Sequence, residues 1–227
     1  MAVAATVLFG SLARGDQSEG SDTDLLMVGL GDETRHVSIG HLSLFLYPWV
    51  QLEQDARDGD LFVCHIVREA KPLIDPDNYF LKLQQAFQFR SSYATDIERA
   101  SDFAWFLVSF GGELNPYLLE KRSLWCVRTI LIARSAERRD PVFAPERLAE
   151  QTSSVLAQVL LRERRGVHDS AAIRSALRQF LVSESVGDPS LEHVNRATFL
   201  SRFVTTFNKV ALQTLRQEER SQSTYMG

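Results

Sequence analysis

Two apolar runs separated by a polar loop make up the segment FGSLARGDQSEGSDTDLLMVG, which covers residues 9–29. A short apolar run ends at Gly10 and Ser11, a polar loop follows, and a second apolar run begins around Asp22 and Asp24. Residues two apart on a strand point to the same face, so these two carboxylates are predicted to lie side by side. Their repulsion must be compensated, and a metal ion commonly does this. The pattern therefore predicts a cation site near the amino end.

Hydrophobic periodicity divides the chain into two parts. Apolar runs predict three strands at 6–10, 23–30 and 41–49, then a helix, an apolar stretch and a short strand near 71–75. After these residues the strand signals stop, and apolar positions three and four apart predict a bundle of four to six helices. The segments predicted to be helical are 77–110, 115–139, 144–165, 170–185 and 195–219. The chain is therefore predicted to be α+β, with domains at residues 1–78 and 79–227.

Charge is distributed unevenly between these parts. Residues 1–80 carry 5 basic and 13 acidic side chains, a net charge of −8, which suits a cation site. Residues 121–178 carry 12 basic and 6 acidic side chains, a net charge of +6. Such an arginine-rich segment suits an anionic partner or substrate phosphates, and solvated helix faces are the alternative explanation.

Several classes of protein are disfavoured by composition. No apolar run approaches the length of a membrane span, and the opening residues MAVAATVLFG lack the charged region of a signal peptide. Cys64 and Cys126 have neither disulfide nor zinc spacing. We therefore expect buried thiols in a cytoplasmic protein that has no membrane partner.

The order Gly-Ser, ten residues, Asp-Thr-Asp-Leu at 22–25 resembles the signature of the polymerase-beta-like nucleotidyltransferase superfamily, especially its small prokaryotic members. Arg14 and Gly15 in GSLARG, and Ser21 in SDTDLL, match the usual form of those members. The resemblance continues weakly through 58–76 and covers the first third of the chain. It implies a nucleotidyltransferase domain with a small mixed sheet flanked by helices, followed by an all-α helical bundle.

The resemblance also implies a reaction and a set of residues. A nucleoside monophosphate would pass from an NTP, with ATP the expected donor, to an acceptor hydroxyl with the help of Mg²⁺ or Mn²⁺. Asp22 and Asp24 would be catalytic and would hold the metal. The residues implied to contact the nucleotide phosphates are Gly10, Ser11, Arg14 and Ser21. Arg14 has an alternative role as an ion-pair partner for the acidic loop. The acceptor stays open between a small molecule, a protein and an RNA end, and a homodimer is plausible from the resemblance alone.

One departure from the family concerns a third carboxylate, which usually lies in the middle of the next strand. In HLSLFLY that position is taken by Ser43, whose neutral hydroxyl is a weaker metal ligand. Asp60 and Glu53 follow in the sequence, but exposed surface is the simpler expectation for both. The departure supports a second hypothesis: a catalytically impaired nucleotide-binding or regulatory protein, such as one half of a toxin–antitoxin or defence pair.

Three further features are expected to have no catalytic role. Arg162 and His168 match the loose arginine–histidine spacing of a family of helical ribonucleases, but arginine is frequent here and a chance match is expected. The aromatic run at 103–110 is expected to be core. His65 lies in an apolar run and is expected to be a core histidine with its polar atoms satisfied.

Overall fold

The structure is a computed structural model that describes residues 2–17, 20–31, 33–163 and 169–225. The chain divides into two compact units. The first comprises Met1–Ser91 and Ala136–Ala144, and the second comprises Ser92–Ser135 and Pro145–Gly227. The predicted α+β class is confirmed, because a mixed sheet with helices precedes a helical region.

The first unit is built on a five-stranded sheet with the strand order β3-β4-β2-β1-β5. Its elements in chain order are β1 (Val3–Phe9), α1 (Gly10–Arg14), β2 (Thr23–Gly29), β3 (Arg35–Ile39), β4 (Leu42–Pro48), α2 (Trp49–Arg57), α3 (Leu61–Glu69), β5 (Lys71–Ile74) and α4 (Tyr79–Ala86). Strands β2 and β4 are parallel, and the other neighbouring strands are antiparallel. The sheet is therefore mixed, as the resemblance implies.

One face of this sheet forms the core of the first unit. Val7 and Phe9 are buried and alternate with more exposed residues along β1, as expected for a strand with one covered face. Leu26 and Val28 of β2 belong to the same core, together with buried residues of α2, α3 and α4. By the same alternation, Asp24 lies on this helix-covered face, at the beginning of β2.

Two elements of the first unit differ from the sequence prediction. All five residues of β3 are exposed, so this edge strand has no buried alternation for a sequence pattern to reveal. The apolar stretch before the last strand is helix α3. Asp60 begins this helix, since its carboxylate accepts hydrogen bonds from the N–H groups of Phe62 and Val63 at 2.8 and 3.1 Å.

The first long helix predicted after the strands is in fact two helices, and the first of them belongs to the first unit. Helix α4 contributes Leu83 to the core of this unit. The N–H of Gln88 then donates to the carbonyl of Ala56 in α2 at 2.9 Å, which takes the chain out of helical geometry. The first unit consequently extends to Ser91, whereas the sequence places a domain boundary after residue 78.

The second unit is helical. Its helices are α5 (Ala94–Phe110), α6 (Pro116–Glu137), whose last two residues belong to the first unit, α7 (Pro145–Ala149), α8 (Val155–Arg162), α9 (Ser170–Ser183), α10 (Arg196–Thr205) and α11 (Lys209–Tyr225). The described ranges thus hold more helices than the four to six predicted. Ser154 caps α8 and Asn208 accepts a hydrogen bond from the first turn of α11, so two predicted helices are each divided.

Aromatic side chains fill the core of the second unit. Phe103 and Phe106 of α5 are fully buried and contact Phe199 and Phe203 of α10 in edge-to-face arrangements. The prediction that the aromatic run 103–110 is core is therefore confirmed. Within the described ranges, none of the helices combines the length and the apolar character needed to cross a membrane.

Candidate active site

The turn from β1 to α1 brings Gly10 against Asp24. The register of the antiparallel pair β1–β2 places Phe9 opposite Asp24, one residue before the turn. Gly10 has φ +75°, a conformation that residues with a side chain disfavour. A Cβ atom on Gly10 would lie 2.5 Å from Oδ2 of Asp24. The absence of a side chain at Gly10 therefore allows the Asp24 carboxylate to lie against the backbone of the turn.

Ser11 and Ser21 lie between Gly10 and Asp24 in the sequence, with Ser11 directly after Gly10 and Ser21 three residues before Asp24. Ser11 is the second residue of α1, and its carbonyl accepts hydrogen bonds from the N–H groups of Gly15 and Asp16 at 2.8 and 3.1 Å. Gly15, at φ +84°, ends the helix in the left-handed conformation. Ser21 precedes Asp22 and is partly exposed, as is Ser11.

Asp22 lies one residue before β2 and is half exposed. Its Oδ1 is 3.4 Å from Nδ1 of His41, and the N–H of Thr23 donates to the carbonyl of His41 at 2.7 Å. The turn between β3 and β4 therefore lies beside the start of β2. The sequence does not single out His41, because locating it requires the exposed strand β3 to be recognised first.

Ser43 is the neighbour of Asp24 in the parallel pair β2–β4. Paired residues of adjacent strands lie about 5 Å apart and point to the same face. Ser43 is 9% exposed, so its hydroxyl lies close to the covered face. A serine thus stands next to Asp24, and neither Asp60, which caps α3, nor Glu53, which pairs with Arg57 at 2.8 Å, is placed there by a described contact.

The donor set at this place suits a hard cation that a substrate helps to bind. Among the residues that the structure describes, no three His, Cys, Asp or Glu side chains converge as a metal site. Mg²⁺, however, keeps several waters in proteins and is usually bound by one or two carboxylates together with substrate phosphates. Asp24 against a glycine backbone, with Asp22 two residues away, fits that mode of binding.

Arg14, at the end of α1, is held by two carboxylates. Its Nη1 is 2.7 Å from Oε2 of Glu69 in α3, and its Nε is 3.0 Å from Oδ2 of Asp16 in the following loop. Burial opposes the charge of the Arg14 guanidinium, but the hydrogen bonds with Asp16 and Glu69 outweigh it and raise the pKa. These contacts match the alternative prediction, an ion-pair partner for the acidic loop. Phosphate binding by Arg14 stays a prediction.

His65 connects Glu69 to a distant part of the chain. Its Nε2 is 3.0 Å from Oε2 of Glu69, and its ring stacks on Phe143 with centroids 4.5 Å apart. Burial raises the pKa of the Glu69 carboxyl, yet the hydrogen bonds with His65 and Arg14 outweigh burial and lower it. His65 is thus a satisfied, largely buried histidine, as predicted, but no sequence pattern indicates its partners Glu69 and Phe143.

The remaining predictions concern the arginine–histidine pair and the cysteines. Arg162 forms an exposed ion pair with Glu146, at 3.1 Å, and His168 lies outside the described residues. Cys64 and Cys126 are buried free thiols, as predicted. Burial raises the pKa of Cys64 to about 12, which favours the protonated thiol over the nucleophilic thiolate at neutral pH.

Comparison with known proteins identifies the class of the first unit. Residues 2–80 match the family described as nucleotidyltransferase domain. Residues 2–80 are therefore a nucleotidyltransferase domain of the polymerase-beta-like superfamily, which confirms the resemblance.

Beyond this family match, one solved structure similar to the chain is a nucleotidyltransferase-like protein from Exiguobacterium sibiricum 255-15. The two share 17% sequence identity over 95% of this chain and 74% of that chain, with a TM-score of 0.32. Among curated proteins, none matches this chain.

Proposed function

We propose that the protein transfers a nucleoside monophosphate from an NTP, with ATP the expected donor, to an acceptor hydroxyl. The observation that carries this proposal is the contact between Asp24 and the backbone of Gly10 at the β1–α1 turn. It combines, in one place, a carboxylate for a divalent cation and a backbone that phosphate oxygens can approach closely. The match of residues 2–80 to nucleotidyltransferase domains supports the same class of reaction.

The residues at and near the turn would have different roles in this reaction. Asp22 and Asp24 would hold Mg²⁺ or Mn²⁺, which when bound supplies positive charge to the triphosphate. Gly10, Ser11 and Ser21 would orient the phosphate chain. The acceptor oxygen would bond to the α-phosphorus as the bond from that phosphorus to the α,β-bridging oxygen breaks. Pyrophosphate would leave with the bridging oxygen, and the hydroxyl proton would pass to solvent.

The test measures pyrophosphate release with Mg²⁺, an NTP and a panel of acceptors comprising aminoglycosides, protein hydroxyls and RNA ends. Asp24→Asn should lower the rate at least about a thousandfold, because several kcal/mol of charge stabilisation depend on the metal. Asp58→Asn is the matched control: it removes the same charge from an exposed position at the end of α2 and should leave the rate unchanged. Equal rates for both variants would refute the roles of the aspartates.

A second candidate function is favoured by Ser43. Its position beside Asp24 supplies no third carboxylate, which suits a regulatory protein that binds nucleotide without turning it over. Calorimetry would then show NTP binding with Mg²⁺ while no acceptor in the panel releases pyrophosphate. Ser43→Asp should raise the affinity for Mg²⁺ whether the protein is an active enzyme or a nucleotide-binding protein without turnover. This substitution should create turnover only in the second case, and only if the missing carboxylate is what prevents catalysis.

The remaining expectations are part of this proposal. The cysteines and the composition lead us to expect a cytoplasmic protein, and the family resemblance leads us to propose a homodimer. The acceptor stays open between a small molecule, a protein and an RNA end, and the panel above is chosen to separate these classes.

A further inference from the structure

We propose that Arg14 is a positioning residue: through Glu69 and Asp16 it holds the β1–α1 turn in the geometry that receives the nucleotide phosphates, without contacting them. The inference rests on the proposed function and deepens it, because it separates the residues that touch the nucleotide from one that holds the turn.

Glu69 and Asp16 accept hydrogen bonds from different nitrogen atoms of the Arg14 guanidinium. Nη1 of Arg14 faces Glu69 on α3 at 2.7 Å, and Nε faces Asp16 in the loop at 3.0 Å. The side chain of Arg14 is only 12% exposed. Since Arg14 lies three residues after Ser11, these hydrogen bonds fix the end of the short helix α1 against α3 and against the loop that follows.

Electrostatics argues against a direct phosphate contact. A phosphate that approached this guanidinium would also approach the carboxylates of Glu69 and Asp16, and like charges repel. The positive charge of Arg14 is already balanced within the protein. The contacts therefore favour a fixed structural pair over a cation kept for a substrate.

The other partner of Glu69, His65, also contacts the residue that directly precedes the turn. His65 holds Glu69 from the same helix, at 3.0 Å, and its ring stacks on Phe143. The same ring meets Phe9 edge-to-face, with centroids 5.7 Å apart, and Phe9 directly precedes Gly10. The turn is thus held at both ends, by Phe9 before it and by Arg14 after it. The residues that hold it come from α3 and from the segment 136–144.

The two roles of Arg14 make opposite predictions for Glu69→Gln. If Arg14 contacts phosphate, removal of the competing charge should leave nucleotide affinity unchanged or increase it. If Arg14 holds the turn, affinity should fall, although the variant adds a net positive charge that favours a triphosphate. The expected loss is about tenfold, because apparent affinity falls with the fraction of protein in the competent geometry.

The experiment is calorimetric titration of the full chain with a non-hydrolysable ATP analogue and Mg²⁺. Glu53→Gln is the matched control, since it makes the same charge change in an ion pair of α2, with Arg57. Asp16→Asn is a second variant that lies in a loop and is expected to fold, and it should also weaken binding. In an Arg14→Gln background, Glu69→Gln should have a smaller effect than in the wild type, because part of its effect acts through Arg14.

Weaker binding by Glu69→Gln and Asp16→Asn, with Glu53→Gln like the wild type, supports the proposal. Unchanged or tighter binding by the first two variants overturns it and leaves the proposed function intact. If the wild type binds none of the NTPs with Mg²⁺, the proposed function fails, and this inference fails with it.

Discussion

Each unit of the molecule contains a carboxylate paired with an arginine, and the two pairs behave in opposite ways. In the first unit, the hydrogen bonds with His65 and Arg14 outweigh burial, so the pKa of Glu69 is lowered. In the second unit, the side chain of Asp102 is 2% exposed and accepts hydrogen bonds from Arg202. Burial, together with the charges of two neighbouring carboxylates, nevertheless outweighs these hydrogen bonds and raises the pKa of Asp102. The first unit therefore favours the charged form of Glu69, whereas the second unit disfavours the charged form of Asp102.

The difference shows what each pair stabilises. Glu69 has two cationic or protonatable partners, and one of them ends the helix that begins at Gly10. Asp102 and Arg202 instead join α5 to α10 beside the aromatic core. We therefore expect changes near the β1–α1 turn to alter ligand binding, and changes around Asp102 to alter folding stability.

Gly10→Ala tests the ligand-binding side of this contrast and should have a larger effect than the changes described below. A Cβ there would meet Oδ2 of Asp24, and displacement of that carboxylate should weaken binding of an NTP with Mg²⁺ about a hundredfold. Gly15→Ala is the matched control, since Gly15 also has positive φ but nothing within 4 Å of its Cβ position. Both variants should lose about 1–2 kcal/mol of stability from the left-handed backbone. Equal affinities for the two variants would contradict a role for the Gly10–Asp24 contact.

Asp102→Asn should reduce stability without a matching loss of nucleotide affinity. The amide retains part of the hydrogen bonding to Arg202 and removes a charge that burial disfavours, so the expected loss is about 1–2 kcal/mol. Urea unfolding and calorimetric titration of the same sample measure the two quantities. A large loss of nucleotide affinity at unchanged stability would contradict the expectation that changes around Asp102 alter folding stability rather than ligand binding.

The pH dependence of stability should have opposite signs for the two carboxylates. Glu69 has a lowered pKa, so its stabilisation is present above its ordinary value of 4.5 and is lost as the pH falls through the folded value. Asp102 has a raised pKa, so its charged form costs stability above the folded value, and this cost disappears as the pH falls.

Urea unfolding between neutral pH and about pH 3 tests both signs. The stability advantage of the wild type over Glu69→Gln should shrink as the pH falls, and its advantage over Asp102→Asn should grow. Parallel curves for the two variants would show that the pairs do not differ in the way described.

The smallest expected effect is that of Glu53→Gln. The pair of Glu53 with Arg57 lies within one helix, at 2.8 Å and partly exposed. Such pairs stabilise a protein by about 0.3–0.5 kcal/mol. A loss of more than about 1 kcal/mol in the free energy of unfolding would mean that this ion pair stabilises the protein more than a partly exposed pair is expected to.

The sequence predicts the fold of the first unit and the candidate turn because both depend on local patterns. The order of strand, Gly10-Ser11, loop and Asp-x-Asp is contiguous, and β1 and β2 are neighbours in the sheet. The expectation that Ser43 occupies the place of a third carboxylate also agrees with the register, since Ser43 lies beside Asp24. The catalytic and binding roles of these residues stay predictions.

Long-range contacts and exposed elements could not be predicted in this way. Glu69 is 55 residues from Arg14 in the sequence, and no periodicity connects them. Phe143 belongs to a segment that joins the first unit although helices of the second unit precede and follow it. Strand β3 is exposed throughout, so neither it nor the turn at His41 has a hydrophobic signature.

The proposed function requires Asp22 and Asp24, beside the Gly10 turn, to bind a triphosphate through a divalent cation. Calorimetric titration with a non-hydrolysable ATP analogue, in Mg²⁺ and then in EDTA, tests this requirement. It compares the wild type with the Asp22→Asn, Asp24→Asn double variant. We predict binding that requires both Mg²⁺ and the two carboxylates. Binding of equal strength in EDTA, or in the double variant, would contradict this requirement.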